Sequence, residues 1–297
     1  MNDRPVAFLD SGVGGLPYLA WARERLPAER FVYLADRANF PYGPKSPADV
    51  LRAVVSAVES LLRIVNPKAI VIACNTATVV ALAELRRSFP AVPFVGVVPA
   101  VKPASEHSAH RRIGVLATRR TVEDPYLVNL IETWASDCLV VKVAGGDIVE
   151  FVEKRYLHAP KRERFEVFRD AVEAFGSSGV DSVVLGCTHF LFLHDEIRES
   201  LPAGVEIIDS REGVGRQLMR VLSERGLSPS ADRSAGSAVS GADPANAEAA
   251  SPSAASVSPY SRFYVTGTLP VEERYREFAS MFGLEFCGTL EGAFSAV

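Results

Sequence analysis

Short runs of apolar residues alternate with longer segments of mixed polarity along most of the chain. Val6–Leu9, Phe31–Ala35, Ala69–Ala73, Phe94–Val98, Ile113–Ala117, Leu139–Val143, Ser182–Leu185 and Val205–Ile208 lack polar alternation, the pattern of parallel strands covered on both faces. Between Ser46 and Val65, the residues Leu51, Val54, Val58, Leu61 and Val65 recur at helical spacing. Ser46 can cap that helix, Pro47 fits its first position and Pro67 follows its end. The repeated alternation predicts an α/β protein built on parallel sheets with right-handed crossovers. In such sheets, functional groups gather at the C-terminal ends of the strands.

One segment breaks the pattern. Ser228 to Ser261 is built from Ser, Ala, Pro, Gly and Asp, with Val239 and Val257 as its only branched aliphatics. It lacks the apolar surface needed to offset its ordering entropy, which predicts a disordered insertion over 228–261. Order is expected to return at Arg262–Val265, followed by a helical pattern from Val271 to Phe282.

Composition narrows the class. The 297 residues are 48% apolar and 23% charged, with a net charge of -4. These are ordinary values for a globular chain, and they give no reason to expect nucleic-acid binding. The N-terminus shows no signal-peptide core, and no apolar run approaches the ~20 residues that span a bilayer. Four scattered cysteines make no disulfide framework. A cytoplasmic protein with reduced thiols, no nucleic acid and no membrane is the expectation.

Two of those cysteines stand in matching places. Val183-Val184-Leu185-Gly186-Cys187-Thr188-His189 and Ile70-Val71-Ile72-Ala73-Cys74-Asn75-Thr76 each run from apolar strand to small residue, Cys and hydrogen-bonding residues. A helix N-terminus offers unpaired N–H groups and a positive dipole end, which favour thiolate over thiol. Those N–H groups, with Asn75, Thr76 and Thr188, can hold a carboxylate. An isolated cysteine reads as core filler, and Cys138 and Cys287 are read so; a matched pair reads as a facing acid/base device. Cys74, Cys187 and His189 could supply three metal ligands, but no C-x-x-C or H-x-x-x-H spacing supports a metal or redox site.

Near the N-terminus, Asp10-Ser11-Gly12-Val13-Gly14-Gly15 is a strand end entering a glycine loop. A dinucleotide fingerprint fails in register, because Pro17 stands where its third glycine belongs. The glycines instead permit a tight turn and close approach to a small anion. Asp10 reads equally as a helix cap or as a group orienting a substrate ammonium or a neighbouring acid/base. Asp36 and Pro41-Tyr42-Gly43 follow the second strand and can line the same cleft. His189 taken alone is an ordinary core histidine, and beside Cys187 it is a candidate acid/base support.

Together, DSGVGGL (Asp10–Leu16), PYG-x-KS (Pro41–Ser46), ACNTAT (Ala73–Thr78) and GCTH (Gly186–His189) resemble the glutamate racemases of the aspartate/glutamate racemase superfamily. The resemblance covers most of the chain outside 228–261. It implies two pseudo-symmetric α/β domains facing each other across the site, drawn at 1–98 plus 207–297 and at 99–206. It implies cofactor-independent interconversion of L- and D-glutamate, supplying D-glutamate for peptidoglycan, with a homodimer expected. Carried over, Cys74 takes the α-proton of D-glutamate and Cys187 that of L-glutamate, with Asp10 assisting the first and His189 the second. Ser11, Asn75, Thr76 and Thr188 would hold the amino and carboxylate groups; Pro41, Tyr42, Gly43 and Thr121 would lie at the side-chain end, with Thr118 nearby. Glu153 keeps the register of the family's supporting acid, although Ala144-Gly145-Gly146 replaces the usual lead-in. Thr266-Gly267-Thr268 carries Thr where the family usually has an acidic or amide residue. The alternatives are an aspartate or hydantoin racemase of the same superfamily, or an inactive amino-acid-binding regulator.

Overall fold

The computed structural model describes residues 3–228 and 261–290. The insertion expected at 228–261 therefore lies, but for its ends, outside the described residues. The order of elements is β1 (Val6–Asp10), α1 (Leu16–Arg25), β2 (Phe31–Ala35), α2 (Pro47–Ile64), β3 (Ala69–Ile72), α3 (Asn75–Ser88) and β4 (Phe94–Gly96). There follow α4 (Val101–His107), β5 (Arg112–Ala117), α5 (Arg119–Glu123), α6 (Pro125–Trp134), β6 (Leu139–Ala144), α7 (Gly146–Lys154), α8 (Lys161–Glu166), α9 (Arg169–Ser178) and β7 (Ser182–Leu185). The chain continues with α10 (His194–Ser200), β8 (Glu206–Ile208), α11 (Arg211–Glu224), β9 (Ser261–Val265), α12 (Glu273–Met281) and β10 (Glu285–Thr289).

The strands form two sheets, all of whose pairings are parallel. The first runs β10-β9-β2-β1-β3-β4 and the second β6-β5-β7-β8. Within each, four strands follow the same order: second, first, third, fourth. Cys74 follows the third strand of the first sheet and Cys187 the third strand of the second. The likeness read from the two cysteine stretches is thus carried by topology. β8 pairs with β7 in the second sheet, so a boundary drawn at residue 207 passes through that strand.

Local chemistry explains the elements. Every residue of β1, β2, β3 and β7 is buried, because helices cover both faces of a parallel sheet. At the outer edge, β6 keeps much of its surface in solvent. Helix α2 starts on Ser46, whose hydroxyl accepts the Asp49 N–H at 3.2 Å, with Pro47 at its first turn. It buries Val50, Val54, Val58 and Leu61 against the sheet. The strand β10 was not expected: its half-polar sequence pairs with β9 at the sheet margin.

The two lobes share an apolar seam. Phe192, just after β7, packs edge-on against Phe278 and Phe282 of the α12 region, at ring distances of 5.6 and 5.7 Å. Leu16, Leu19, Val97, Phe190 and Leu193 belong to the same buried cluster. Burying such area holds the lobes together along one side, and the C-terminal strand ends open on the other. Among the described residues, no helix is long and apolar enough to cross a membrane.

Candidate active site

A cleft of about 910 Å³ opens between the strand ends, at the large end of the ~300–1,000 Å³ usual for small-molecule sites. Register places its walls. Ala73 donates to the Leu9 carbonyl at 2.7 Å, and Gly186 to the Leu116 carbonyl at 2.7 Å. Asp10 and Cys74 therefore emerge side by side from the first sheet, and Thr118 and Cys187 from the second.

Twelve of the fifteen residues expected from the sequence line this cleft: Ser11, Pro41, Tyr42, Gly43, Cys74, Asn75, Thr76, Thr118, Thr121, Cys187, Thr188 and His189. Asp10, Asp36 and Glu153 stand behind its surface, all three buried. Asp10 is not a helix cap; α1 begins on Gly15. Its carboxylate accepts the Ser11 N–H at 2.6 Å and the Thr188 hydroxyl at 3.4 Å from the opposite lobe, and it shares a hydrogen bond with the Cys74 thiol. Asp36 does not face the cleft as expected. It is enclosed by Tyr42, Asn39 and Thr266, whose Tyr42 hydroxyl donates at 2.6 Å, and so it fixes the wall that Tyr42 forms.

The second lobe holds a chain of three groups. Glu153 Oε1 accepts from His189 Nε2 at 2.8 Å, and His189 Nδ1 lies 4.0 Å from Cys187 Sγ. The same Glu153 oxygen accepts the Val13 N–H of the first lobe's glycine loop at 2.6 Å. The loop's glycines follow from this contact. A Cβ on Gly12 would collide with the Glu153 carboxylate. One on Gly14 would collide with the His189 ring and come within 2.6 Å of Thr188 Oγ1. Gly12 and Gly14 serve close approach of the opposite lobe, the Glu153 carboxylate included, and Gly15 serves close packing on Ala73 and Tyr33 of its own lobe.

Burial and charge set the protonation. Burial by itself would drive the proton off His189, but the Cys187 and Glu153 hydrogen bonds and the Asp10 and Glu153 carboxylates hold its pKa well above the ordinary value. Burial pushes the Asp10 carboxyl up, against the opposing pull of His189 and the Cys74 and Ser11 hydrogen bonds. Cys74 stands at the N-terminal position of α3 without a side-chain cap bond, and burial and the Asp10 charge push its thiol well above the usual range, against the opposing pull of the nearby Ala77 N–H. The helix terminus alone thus does not make Cys74 a thiolate, contrary to the sequence expectation. Among the described residues, no three His, Cys, Asp or Glu side chains are grouped to hold a metal ion.

Sequence reasoning missed two further groups. Tyr33, at mid-strand in β2, donates to the Gly12 carbonyl at 2.8 Å and accepts the Gly15 N–H at 3.0 Å; nothing local marks such a phenol. Arg120, between Thr118 and Thr121, lines the cleft and donates to the Lys45 carbonyl of the first lobe at 2.7 Å. Its place inside a Thr-x-x-Thr stretch at a strand end was the available signal.

Two lobes with the same strand order, each sending a cysteine to one cleft, define a two-thiol amino-acid isomerase architecture. The sequence profile of the Asp/Glu/Hydantoin racemase family matches residues 18–212, and the chain belongs to that family. Glutamate racemase of Roseiflexus sp. is 41% identical over 224 residues, 75% of this chain and 81% of that protein. That of Pseudomonas aeruginosa is 40% identical over 222 residues, covering 75% and 83%. The crystal structure of Escherichia coli glutamate racemase with L-glutamate and an activator superposes with a TM-score of 0.78 at 30% identity, over 96% of this chain and 98% of that one. The Thermus thermophilus glutamate racemase bound to β-chloro-D-alanine gives 0.68 at 30% identity, covering 97% and 96%.

Proposed function

We propose that this chain is a cofactor-independent glutamate racemase that interconverts L- and D-glutamate in the cytoplasm and supplies the D-isomer for peptidoglycan. The observation that carries this is the pair of cysteines on opposite lobes of one cleft, each beside its own acid/base partner; the glutamate racemase relatives support the substrate. A homodimer belongs to the same reading, by family likeness.

The α-carbon lies between the two thiols. One sulfur, as thiolate, takes the α-proton from one face. The carboxylate, held by N–H groups of the α3 start with Asn75, Thr76 and Thr188, takes up the developing charge. The other sulfur, as thiol, returns a proton to the opposite face, so the configuration inverts and the thiol and thiolate exchange places. Cys74 serves D-glutamate and Cys187 L-glutamate. The resting Cys74 is a thiol beside Asp10. Asp10, whose carboxyl is pushed up by burial and which is hydrogen-bonded to the Cys74 thiol, accepts the thiol proton when Cys74 becomes the thiolate. His189, held protonated by Glu153, passes protons to and from Cys187.

Circular dichroism across L- and D-glutamate, aspartate and glutamine, with chelator present and no pyridoxal phosphate or nicotinamide, tests the reaction. Signal loss from glutamate alone is expected; activity that appears only with added metal or cofactor, or only on another amino acid, would overturn it. The thiol assignment is tested with a glutamate carrying a leaving group on its β-carbon, which eliminates after α-deprotonation. Cys74→Ser is expected to eliminate only from the L-enantiomer and Cys187→Ser only from the D-enantiomer. Both variants favouring one enantiomer, or either racemising at near wild-type rate, contradicts the assignment.

A further inference from the structure

Five arginine and lysine side chains line the cleft, and four of them have a carboxylate within ion-pair distance, two of these sharing one. Arg37 and Arg274 both pair with Glu272, at 2.8 and 3.1 Å. Lys154 pairs with Glu150 at 2.6 Å and Arg119 with Glu123 at 3.8 Å. Arg120 has no carboxylate partner among the described residues. One of its terminal nitrogens donates to the Lys45 carbonyl at 2.7 Å, and its Nε is buried without a protein partner. It is also only partly exposed and shares a narrow crevice with Thr76, Thr121 and Asp124, whose carboxylate accepts the Tyr126 N–H at 2.9 Å and makes no ion pair with Arg120.

A guanidinium carries five donors and cannot lose its charge, so a carbonyl contact leaves most of its capacity unused. The cost of holding such a group away from water falls when an anion joins it. Its position points to which anion. The α-carbon must sit between Cys74 and Cys187, whereas Arg120 is anchored two residues beyond Gly43, on the loop that carries Pro41 and Tyr42. It therefore faces the part of an amino acid that extends away from the reacting carbon.

Resting on the racemase reading above, we infer that Arg120 is a specificity-determining residue that recognises the side-chain carboxylate of a dicarboxylic substrate, its Lys45 contact holding the fork in place across the lobes. The cleft thereby selects acidic amino acids over their amides by a charge supplied from the second lobe.

The test uses the full chain and two variants: Arg120→Met, which keeps the stem and removes the charge, and Arg120→Lys, which keeps the charge and loses the fork. Dissociation constants for L-glutamate and L-glutamine are measured by calorimetry, and kcat and KM for glutamate by circular dichroism. Arg120→Met is expected to weaken glutamate at least tenfold and raise KM in parallel. Glutamine binding and kcat should stay within about threefold, the split expected when uniform binding is lost. Arg120→Lys is expected to recover at least a third of the glutamate affinity. Raising the ionic strength should weaken glutamate more for the wild type than for Arg120→Met. Equal weakening of glutamate and glutamine would mean that Arg120 serves the α-carboxylate or only joins the lobes, and would overturn the inference; so would unchanged glutamate binding or a Lys variant as poor as the Met one. Failure of the racemase reading is read separately, as absence of turnover by a wild type that still binds glutamate.

Discussion

Replacing Glu153 with Gln removes one buried negative charge while keeping the shape of the side chain. One oxygen of that carboxylate accepts both the Val13 N–H at 2.6 Å and His189 Nε2 at 2.8 Å. An amide can offer its oxygen to either donor but brings no charge to both. Hydrogen bonds to charged groups are worth about 1.5–3 kcal/mol and neutral ones about 0.5–1.5, so each bond loses roughly 1 kcal/mol and the variant about 2 kcal/mol in all. For a chain of this size that lowers Tm by ~4–8 °C. The loss depends on pH in a definite direction. His189 has its folded-state pKa raised well above the ordinary value by the Cys187 and Glu153 bonds and the nearby carboxylates, against the opposing effect of burial. The stability it contributes is fully present below the unfolded value of about 6.5 and is lost as pH rises through the raised folded value. Melting curves for wild type and Glu153→Gln should therefore differ most near pH 6 and converge toward alkaline pH, retaining only the Val13 share. Elimination from the L-enantiomer, which the proposed mechanism assigns to Cys187, should fall at least tenfold, and that from the D-enantiomer much less. A gap in Tm that stays constant from pH 6 to 9, or widens upward, would refute the charge assignment on His189.

Two smaller perturbations test the loop that meets this pair. Gly14→Ala should lose about 1–3 kcal/mol of stability by overpacking and most of its activity, because the added carbon meets His189 and Thr188; Gly213→Ala in α11, with open space around it, is the control and should be neutral or slightly stabilising in a thermal melt. Tyr33→Phe leaves the Gly15 N–H without its buried acceptor, and should lower stability by about 1–3 kcal/mol in chemical denaturation while leaving the cleft's affinity for glutamate lower and its pH profile unshifted.

Much of this was legible along the chain, for reasons that differ by element. The parallel strands stood out because burial on both faces removes polar alternation, and α2 because Ser46, Pro47 and the Val54–Val58–Leu61 spacing agree. The cysteines were visible because strand-end chemistry is local: a small residue, a thiol and hydrogen-bonding residues in succession. What was not legible is what the other lobe supplies. A helix N-terminus at Cys74 argues for a thiolate, and only the folded chain shows that burial and Asp10 outweigh it. The glycines of residues 12–15 read as a cradle for a small anion, and only the folded chain shows the Glu153 carboxylate against Gly12 and His189 against Gly14. Asp36 reads as a cleft acid until Tyr42, Asn39 and Thr266 close over it. The edge strand β10 escaped because Glu285-Phe286-Cys287-Gly288-Thr289 is only half-buried, with Gly288 at a φ of +83°.

The two cysteines share a local sequence plan but not a partner, and the difference has a consequence for how the lobes cooperate. Cys74 has its acid/base neighbour, Asp10, on its own lobe. Cys187 has His189 on its own lobe too, but the orientation and charge of His189 depend on Glu153, and the oxygen of Glu153 that holds it is also held by Val13 from the first lobe. A change in docking that moves the glycine loop by a fraction of an ångström thus strains the Glu153–His189–Cys187 chain directly. On the Cys74 side, the corresponding cross-lobe tie is the longer Thr188–Asp10 contact of 3.4 Å, which is weaker and more easily replaced by solvent. On the proposed mechanism, disturbing the seam around Phe192 and Phe278 should therefore slow elimination from the L-enantiomer before it slows elimination from the D-enantiomer.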